Sequence, residues 1–224
     1  MKHEIAVTTP ENLAEFWPGS YDLFSWLDYV VTIPNAITLV TTRKANGAPN
    51  ACLHAWGMLV GDRDNYTSLL AMHETFHTYA NIQREGEWCV NYPSIDIYPQ
   101  SFQTINVNHA DNDEITEAGL TVEAAKMVKA PRVAECRLSL ECKLEWHRRL
   151  YEGSSWVLVA GKVVHVAMDE AVMGIDPEER MQAMQLMFNI RGLINPVSGE
   201  ANGYNSLGLV SEVVKAFDPR AKGE

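Results

Sequence analysis

The chain has 224 residues, of which 46% are hydrophobic and 21% are charged, so it can bury a substantial core as one large domain or two small ones. Its formal net charge of −11 argues against a nucleic-acid partner, because phosphate binding needs a basic surface that 18 Lys and Arg against 29 Asp and Glu do not supply. The first residues contain no signal-like apolar region, and no run of eighteen uncharged apolar residues occurs, so we expect a cytoplasmic protein with no membrane association.

Aromatic residues are concentrated before the first predicted strand. A short helix is predicted from Pro10 to Phe16, because a proline and acidic residues precede an apolar pattern. We treat residues 1–30 as an N-terminal aromatic arm, which contains Trp17, Tyr21, Phe24, Trp26 and Tyr29. These rings are too dense for a solvated segment. They pack either on the outside of the main domain, which we favour, or over an interface or a ligand.

The stretch from Ile33 to Met58 predicts a β-hairpin. Residues 36–42 are rich in β-branched side chains, and residues 44–49 have the composition of a turn. The second arm, residues 50–56, carries the small residues Ala51, Cys52 and Ala55. Small residues in a strand either accommodate packing or let the backbone lie close against a flat ligand, and the local sequence leaves both interpretations open.

The rest of the chain predicts a mainly β protein. Further strands are expected at residues 65–71, 87–91, 134–146 and 155–168, and an irregular or partly helical excursion at residues 94–121. Helices are expected at residues 75–85, with Thr75 as N-cap and Gly86 as stop, and at residues 176–188 and 206–217. Six strands separated mostly by turns favour an antiparallel barrel or sandwich over a doubly wound sheet. We therefore assign residues 31–172 to one β domain and residues 173–224 to a C-terminal helical extension.

The cysteine pattern indicates reduced, buried thiols. The four cysteines form no C-x-x-C pair, and most lie in apolar, strand-like runs, where a thiol behaves as a small hydrophobic group. They are Cys52, Cys89, Cys136 and Cys142.

One motif offers a zinc-dependent hydrolase as an alternative function. His73, Glu74 and His77 match H-E-x-x-H, in which two histidines one helical turn apart bind zinc and the glutamate activates water. The motif requires both histidines in one helix, whereas Thr75 is the better N-cap and the residues before it are strand-like. A third ligand is not evident. Phosphate-binding loops of the Walker or dinucleotide type are absent from the sequence.

An ordered series of short runs resembles a known family. The runs are IPNA (33–36), LVTTR (39–43), PNA (49–51), AW (55–56), HTY (77–79), NI (81–82), GEWCVN (86–91), AGLT (118–121), VKAPRVAE (128–135), LEC (140–142) and GKVV (161–164). Each run is weak evidence by itself, but the set and its order are similar to the FMN-binding split-barrel flavoproteins of the flavin reductase and flavoredoxin family. The resemblance extends from about Ile33 to Met168.

The resemblance implies a fold and a cofactor. The expected fold is a six-stranded antiparallel Greek-key split barrel with a short inner helix and helical terminal extensions. The family also implies a homodimer that holds FMN in a groove at the subunit interface. The implied function is that of an oxidoreductase, either a flavin reductase that takes hydride from NAD(P)H or a flavoredoxin-type carrier that takes electrons from a protein donor. The flavin would supply the chemistry, so no catalytic side chain is expected.

The resemblance also implies a set of cofactor-binding residues. Hydroxyl and N–H groups at Thr78, where the inner helix begins, would meet the phosphate. The backbone of the second hairpin strand would face the isoalloxazine ring, with an aromatic side chain at its border. The complete set is Thr41, Thr42, Arg43, Asn50, Ala51, Cys52, Ala55, Trp56, His77, Thr78, Asn81 and Lys129.

The same resemblance makes the H-E-x-x-H motif a coincidence. His73 would end a strand, and His77 would begin the inner helix beside the phosphate. Glu74 would then repel the phosphate unless its carboxylate points away from it.

Overall fold

The computed structural model describes residues 2–11, 13, 23–190, 194–201 and 206–214. These residues form strands β1 Asn35–Ala36, β2 Thr38–Arg43, β3 Pro49–His54, β4 Gly57–Asp62, β5 Asn65–His73, β6 Glu87–Tyr92, β7 Val122–Glu123, β8 Arg132–Val133, β9 Leu138–Arg149, β10 Trp156–Met168, β11 Met187–Asn189 and β12 Leu207–Leu209. The helices are α1 His77–Glu85, α2 Tyr98–Asn106, α3 Glu114–Glu117, α4 Glu170–Met173 and α5 Pro177–Met184, with short 3₁₀ turns at Trp26–Tyr29 and Ile95–Ile97.

Seven of these strands form one antiparallel sheet in the order β3-β2-β6-β9-β10-β5-β4. One face of the sheet encloses the main core, to which strands β2, β5, β6, β9 and β10 all contribute. Ile82 of α1 and Trp88 of β6 are completely buried in this core, so the helix packs against this face of the sheet. Strand β3 lies at one edge of the sheet and β4 at the other.

The predicted hairpin is confirmed as β2 and β3. Their register pairs Thr38 with His54 and Arg43 with Pro49. Gly47 in the turn has φ +84°, a left-handed conformation that glycine adopts without steric cost, and the Asn46 side chain accepts a hydrogen bond from the Ala48 N–H at 3.0 Å. A second, smaller core covers the hairpin on its other face beneath α3. Strand β2 of the hairpin is therefore buried on both faces.

The inner helix confirms its predicted end but not its predicted start. Gly86 follows α1 with φ +69°, and its N–H donates to the Ile82 carbonyl at 2.8 Å, as expected for a glycine stop. The predicted N-cap, Thr75, is wrong, because the helix begins at His77 and Phe76 occupies the N-cap position with no side-chain hydrogen bond. Thr75 is instead bonded to the His73 ring at 2.8 Å.

The expected count of six strands is wrong for the main sheet, which has seven. The additional strand is β4, which pairs with β5 from Gly57 opposite Leu70 to Asp62 opposite Asn65. Glycines near both ends of this strand and the turn-like residues after it conceal the strand pattern. The turn itself contains only Arg63 and Asp64.

The helical C-terminal extension is only partly present. Helix α5 ends at Met184, and residues 187 and 188, which were predicted to be helical, lie in β11. The second predicted helix is also wrong within the described residues, since Leu207–Leu209 is strand β12 and residues 210–214 are irregular. Strands β1, β11 and β12 form a separate three-stranded sheet. Pairing between distant segments, which no local pattern encodes, determines these strands.

Of the predicted N-terminal helix from Pro10 to Phe16, residues 12 and 14–16 lie outside the described residues, and residues 10, 11 and 13 are not helical. Residues 26–29 of the aromatic arm form a 3₁₀ turn capped by the Ser25 hydroxyl. Within the described chain, no helix combines the length and the apolar character needed to cross a bilayer.

Packing at the centre of the sheet gives a test of the fold. A Cβ atom on Gly161 of β10 would lie 2.1 Å from the completely buried Trp88 ring and 2.9 Å from the Lys143 carbonyl oxygen. Because neither neighbour can move freely, we expect Gly161→Ala to lower the free energy of unfolding by about 2 kcal/mol or more. Urea denaturation measures this loss.

The matched control is Gly174→Ala, whose Cβ would meet nothing closer than 3.8 Å. We expect its stability to change by less than about 0.5 kcal/mol. Equal stability of the two variants would contradict the packing of Trp88 against β10.

Candidate functional site

A cavity of about 520 Å³ lies beside the open edge of β3. Residues 50–56, the start of α1 and helix α2 form most of its wall. Both flanking segments also contribute, through Leu23 and Phe24 before the sheet and through Asn189 and Leu207 after it. This volume is in the usual range for sites that bind cofactors and other small molecules.

The backbone of β3 faces this cavity because the strand is paired on one side only. The Ala51 N–H donates to the Glu114 carboxylate at 2.8 Å, so the polar backbone groups of Ala51 point away from β2. Along a strand, the N–H and carbonyl of successive residues point to opposite edges. The N–H and carbonyl of Leu53, two residues after Ala51, therefore also point away from β2. The edge thus offers hydrogen-bonding groups in a row, beside side chains that are small at Ala51, Cys52 and Ala55.

Polar side chains meet at the end of the cavity where β3 begins. Asn50 and Thr78 are both buried, and the Asn50 amide donates to the Thr78 hydroxyl at 3.0 Å. Thr78 lies in the first turn of α1, where backbone N–H groups have no partner inside the helix. The exposed His77 ring contacts the Asn108 side-chain oxygen at 2.9 Å. This end can therefore offer several donors to an anion.

Aromatic rings form the wall at the other end. Trp56 is stacked on Phe24, with ring centroids 4.9 Å apart and planes 7° apart. Trp156 stands against both rings at 5.6 and 5.8 Å, and its indole N–H donates to the Leu23 carbonyl at 2.7 Å. Phe24 of the aromatic arm therefore covers the cavity. That the arm covers a ligand or an interface stays a prediction.

Cys52 lies in the cavity wall as a neutral thiol. Burial raises the pKa of the Cys52 thiol to about 11, with a smaller upward contribution from Glu114 and an opposing hydrogen bond to Thr78. At neutral pH the thiolate population is therefore very small, and the side chain acts as a compact apolar group beside the β3 backbone. All four cysteines are free thiols, as predicted, but only Cys89 and Cys142 are buried, whereas Cys52 and Cys136 are half-buried.

Of the twelve cofactor-binding residues that the sequence predicted, the structure brings seven together around the cavity. They are Asn50, Ala51, Cys52, Ala55, Trp56, His77 and Thr78. The other five do not line it. They are Thr41, Thr42, Arg43, Asn81 and Lys129.

All five take part in hydrogen bonds that join β2 to its neighbours, Lys129 through its backbone carbonyl. Thr41 accepts a hydrogen bond from the Asn91 amide at 3.0 Å, and Thr42 accepts one from the Asn81 amide at the same distance. The Arg43 guanidinium donates to the Lys129 carbonyl at 2.6 Å. Contact of any of the five with a cofactor stays a prediction.

Sequence reasoning missed Glu114, Phe76, His54 and Leu53, which also line the cavity. Glu114 belongs to the segment predicted to be irregular. The sequence around it does not distinguish it from an acidic residue exposed to solvent. Its N-cap neighbour Asp113, followed by a helical turn, is the single local signal that could have fixed its position. Contact of Glu114 with β3 depends on the fold.

The H-E-x-x-H motif does not have the geometry of a zinc site. His73 ends β5 and His77 begins α1, so the two rings do not share one helix face. Glu74 forms an ion pair with Arg149 at 2.6 Å, which compensates its charge. Across the described ranges, no group of three His, Cys, Asp or Glu side chains is arranged to hold a metal ion.

Solved structures of other proteins share this fold at low sequence identity. Component B of nitrilotriacetate monooxygenase from Bacillus cereus superposes with a TM-score of 0.74 at 16% identity, covering 96% of this chain and 100% of that one. A protein with a split barrel domain from Shewanella frigidimarina superposes with a TM-score of 0.71 at 21% identity, covering 91% of this chain and 98% of that one. Flavoredoxin of Desulfovibrio vulgaris superposes with a TM-score of 0.65 at 19% identity, covering 86% of this chain and 95% of that one. The seven-stranded sheet is therefore that of a split barrel.

Sequence comparisons identify the family. A protein of Methanothermobacter thermautotrophicus with no assigned function is 29% identical over 148 residues, which are 66% of this chain and 68% of that protein. The protein YwrF of Bacillus subtilis is 28% identical over 146 residues, or 62% and 71% of the two chains. The sequence model of the flavin reductase like domain matches residues 30–182, well over half of the chain. The chain therefore belongs to the family of proteins with a flavin reductase like domain.

Proposed function

We propose that the protein is a cytoplasmic, homodimeric FMN-dependent oxidoreductase that binds its flavin along the β3 edge and receives hydride from NAD(P)H. The observation that carries the proposal is the row of outward backbone groups on β3. This row borders a cavity with anion-binding groups at one end and aromatic rings at the other. Membership of the flavin reductase like family supports a flavin-related oxidoreductase.

The polar end of the cavity fits a single phosphate group. The N–H groups at the start of α1, together with Thr78 and Asn50, can surround one anion. Among the described residues that line the cavity, none is Lys or Arg, so the phosphate would be held by neutral donors and the helix dipole. Glu74 does not oppose this, because its carboxylate is paired with Arg149. These groups favour FMN over a flavin without phosphate.

The ring system fits the remainder of the cavity. With the Ala51 N–H taken by Glu114, the Ala51 carbonyl and the Leu53 N–H and carbonyl would hydrogen-bond the polar side of a flavin. The small Cys52 and Ala55 side chains would leave room for a flat ring. Trp56 would border it. When bound, the flavin supplies hydride and electron transfer, and the chain binds it, orients it and excludes water.

An electron carrier is the second candidate, and it is supported by the fold shared with flavoredoxin of Desulfovibrio vulgaris. Steady-state oxidation of NAD(P)H with excess free FMN separates the two functions. A rate that depends on both the protein and the flavin is expected of the reductase. A protein that binds FMN but gives no such rate would be a carrier reduced by another protein.

The outer face of the sheet supports a homodimer. Trp146, Ala160, Leu69 and Met58 are aligned across β9, β10, β5 and β4 on the face opposite the main core. Trp146 and Met58 are 41% and 59% exposed, and Val60 beside them is 48% exposed. An apolar face of this kind on a soluble fold is typical of a subunit interface.

This face continues into the cavity wall. Trp156 lies four residues before Ala160 on β10 and so on the same face, and its ring contacts Phe24 and Trp56 of the cavity. We infer that a second copy covers the face and borders the flavin site. Dimerisation and flavin binding would then be coupled.

Loss of the Thr78 hydroxyl tests the position of the phosphate. We expect Thr78→Val to weaken FMN binding by about tenfold, because a hydrogen bond to a charged group contributes about 1.5 kcal/mol. Riboflavin, which has the same ring but no phosphate, should bind with unchanged affinity. Quenching of flavin fluorescence on titration gives both dissociation constants.

Thr121→Val, on an exposed loop residue, is the matched control and should alter neither affinity. An equal loss for FMN and riboflavin would place the phosphate elsewhere. Failure of the wild-type protein to bind FMN at micromolar concentration would refute the proposed function.

A charged residue on the apolar sheet face tests the dimer. We expect Met58→Glu to convert the dimer to a monomer at micromolar concentration, because an unpaired carboxylate would be buried in the interface. Sedimentation equilibrium measures the mass. Met173→Glu makes the same change at a residue of similar exposure, 55%, on helix α4 rather than on the sheet, and this variant should remain dimeric. A wild-type protein that is monomeric at all concentrations would contradict the proposed interface.

A further inference from the structure

Glu114 is a buried carboxylate in the wall of the cavity. It is the first residue of α3 and is only 1% exposed. The preceding Asp113 side chain caps the helix by accepting hydrogen bonds from the N–H groups of Ile115 and Thr116 at 3.1 and 3.0 Å. This cap fixes the direction in which the helix presents Glu114.

Both carboxylate oxygens of Glu114 have defined partners. Oε2 accepts the Ala51 N–H at 2.8 Å, and Oε1 lies 2.9 Å from the Lys44 ammonium. Lys44 is itself 5% exposed, and it also donates to the backbone and side-chain oxygens of Asn112 at 2.9 and 2.8 Å and to the His109 carbonyl. Rearrangement of this pair would break the hydrogen bond from the Ala51 N–H and those that Lys44 donates to Asn112 and His109.

The pair presents its negative end to the cavity. Glu114 lines the cavity and Lys44 does not, so the carboxylate stands between the ammonium and any bound molecule. No Lys or Arg side chain lies among the described residues of the wall to offset it. In a largely buried site, this charge acts on a bound molecule more strongly than it would in water.

We propose that Glu114 is a positioning residue that also makes the site bind oxidised flavin more tightly than reduced flavin. This inference depends on the proposed function. Transfer of one hydride from NAD(P)H adds a negative charge to the flavin and releases NAD(P)⁺, and a proton from water can then neutralise that charge. The Glu114 carboxylate opposes the added charge, while its hydrogen bond to Ala51 holds the β3 edge against the ring.

Thermodynamic linkage connects this preference to a measurable potential. The ratio of the dissociation constants of reduced and oxidised flavin equals the factor by which binding shifts the redox equilibrium. The bound flavin should therefore have a more negative midpoint potential than free FMN. Reduced flavin would also leave the site more readily than oxidised flavin, which suits a protein that delivers it to another acceptor.

Three variants test the role of the charge. Glu114→Gln keeps an oxygen that can accept the Ala51 N–H but removes the charge. Lys44→Met combined with Glu114→Gln removes both charges and leaves no unpaired ion. Glu141→Gln is the matched control, because Glu141 is also a fully buried carboxylate that accepts two backbone N–H groups but does not line the cavity.

The readouts are the midpoint potential of bound FMN, from reductive titration with a reference dye, and the dissociation constant of oxidised FMN. We expect the potential to become more positive in the order wild type, double variant, Glu114→Gln. The ratio of the reduced to the oxidised dissociation constant should fall at least tenfold in Glu114→Gln. Glu141→Gln should lose stability without a change in potential.

If Glu114→Gln still binds FMN and its bound flavin has the same midpoint potential as in the wild type, this inference is overturned and the proposed function remains intact. If Glu114→Gln does not fold, the double variant tests the inference instead. Its midpoint potential must then be more positive than that of the wild type, and an equal potential would overturn the inference. Absence of FMN binding by the wild-type protein would instead refute the proposed function itself.

Discussion

The unpaired edge of β3 is the constraint on which the site depends. An edge strand carries a row of backbone donors and acceptors that no neighbouring strand satisfies. Here Glu114 takes the Ala51 N–H, and a cavity rather than solvent borders the remaining groups. The edge is thereby protected from pairing with another chain and remains available to a ligand that can hydrogen-bond in one plane.

The rest of the fold holds this edge in place. Strand β2 is buried on both faces, with Val40 in the main core and Leu39 in the smaller core beneath α3. Thr41 and Thr42 are tied to β6 and α1 by side-chain hydrogen bonds. A hairpin fixed so firmly cannot shift its register, and the direction of each backbone group on β3 is therefore set before any ligand binds.

Local patterns predicted the parts of the fold that local interactions determine. The β2–β3 hairpin, the stop of α1 at Gly86 and the long β9–β10 pair all follow from β-branched runs, turn residues and a left-handed glycine. Strands β4, β11 and β12 were missed, because pairing with distant segments overrides their weak local preference. Seven of the twelve predicted site residues meet at the cavity, whereas Glu114 could not be found, since its role arises only where α3 packs against β3.

The most direct test of the account is amide NMR of the protein as FMN is added. The central claim, that the β3 edge receives the flavin ring, predicts large shifts and slowed hydrogen exchange at the Leu53 N–H, together with a shift of the Trp56 indole signal. Saturable binding of FMN that leaves Leu53 and Trp56 unperturbed, with shifts confined to residues outside the cavity, would contradict it.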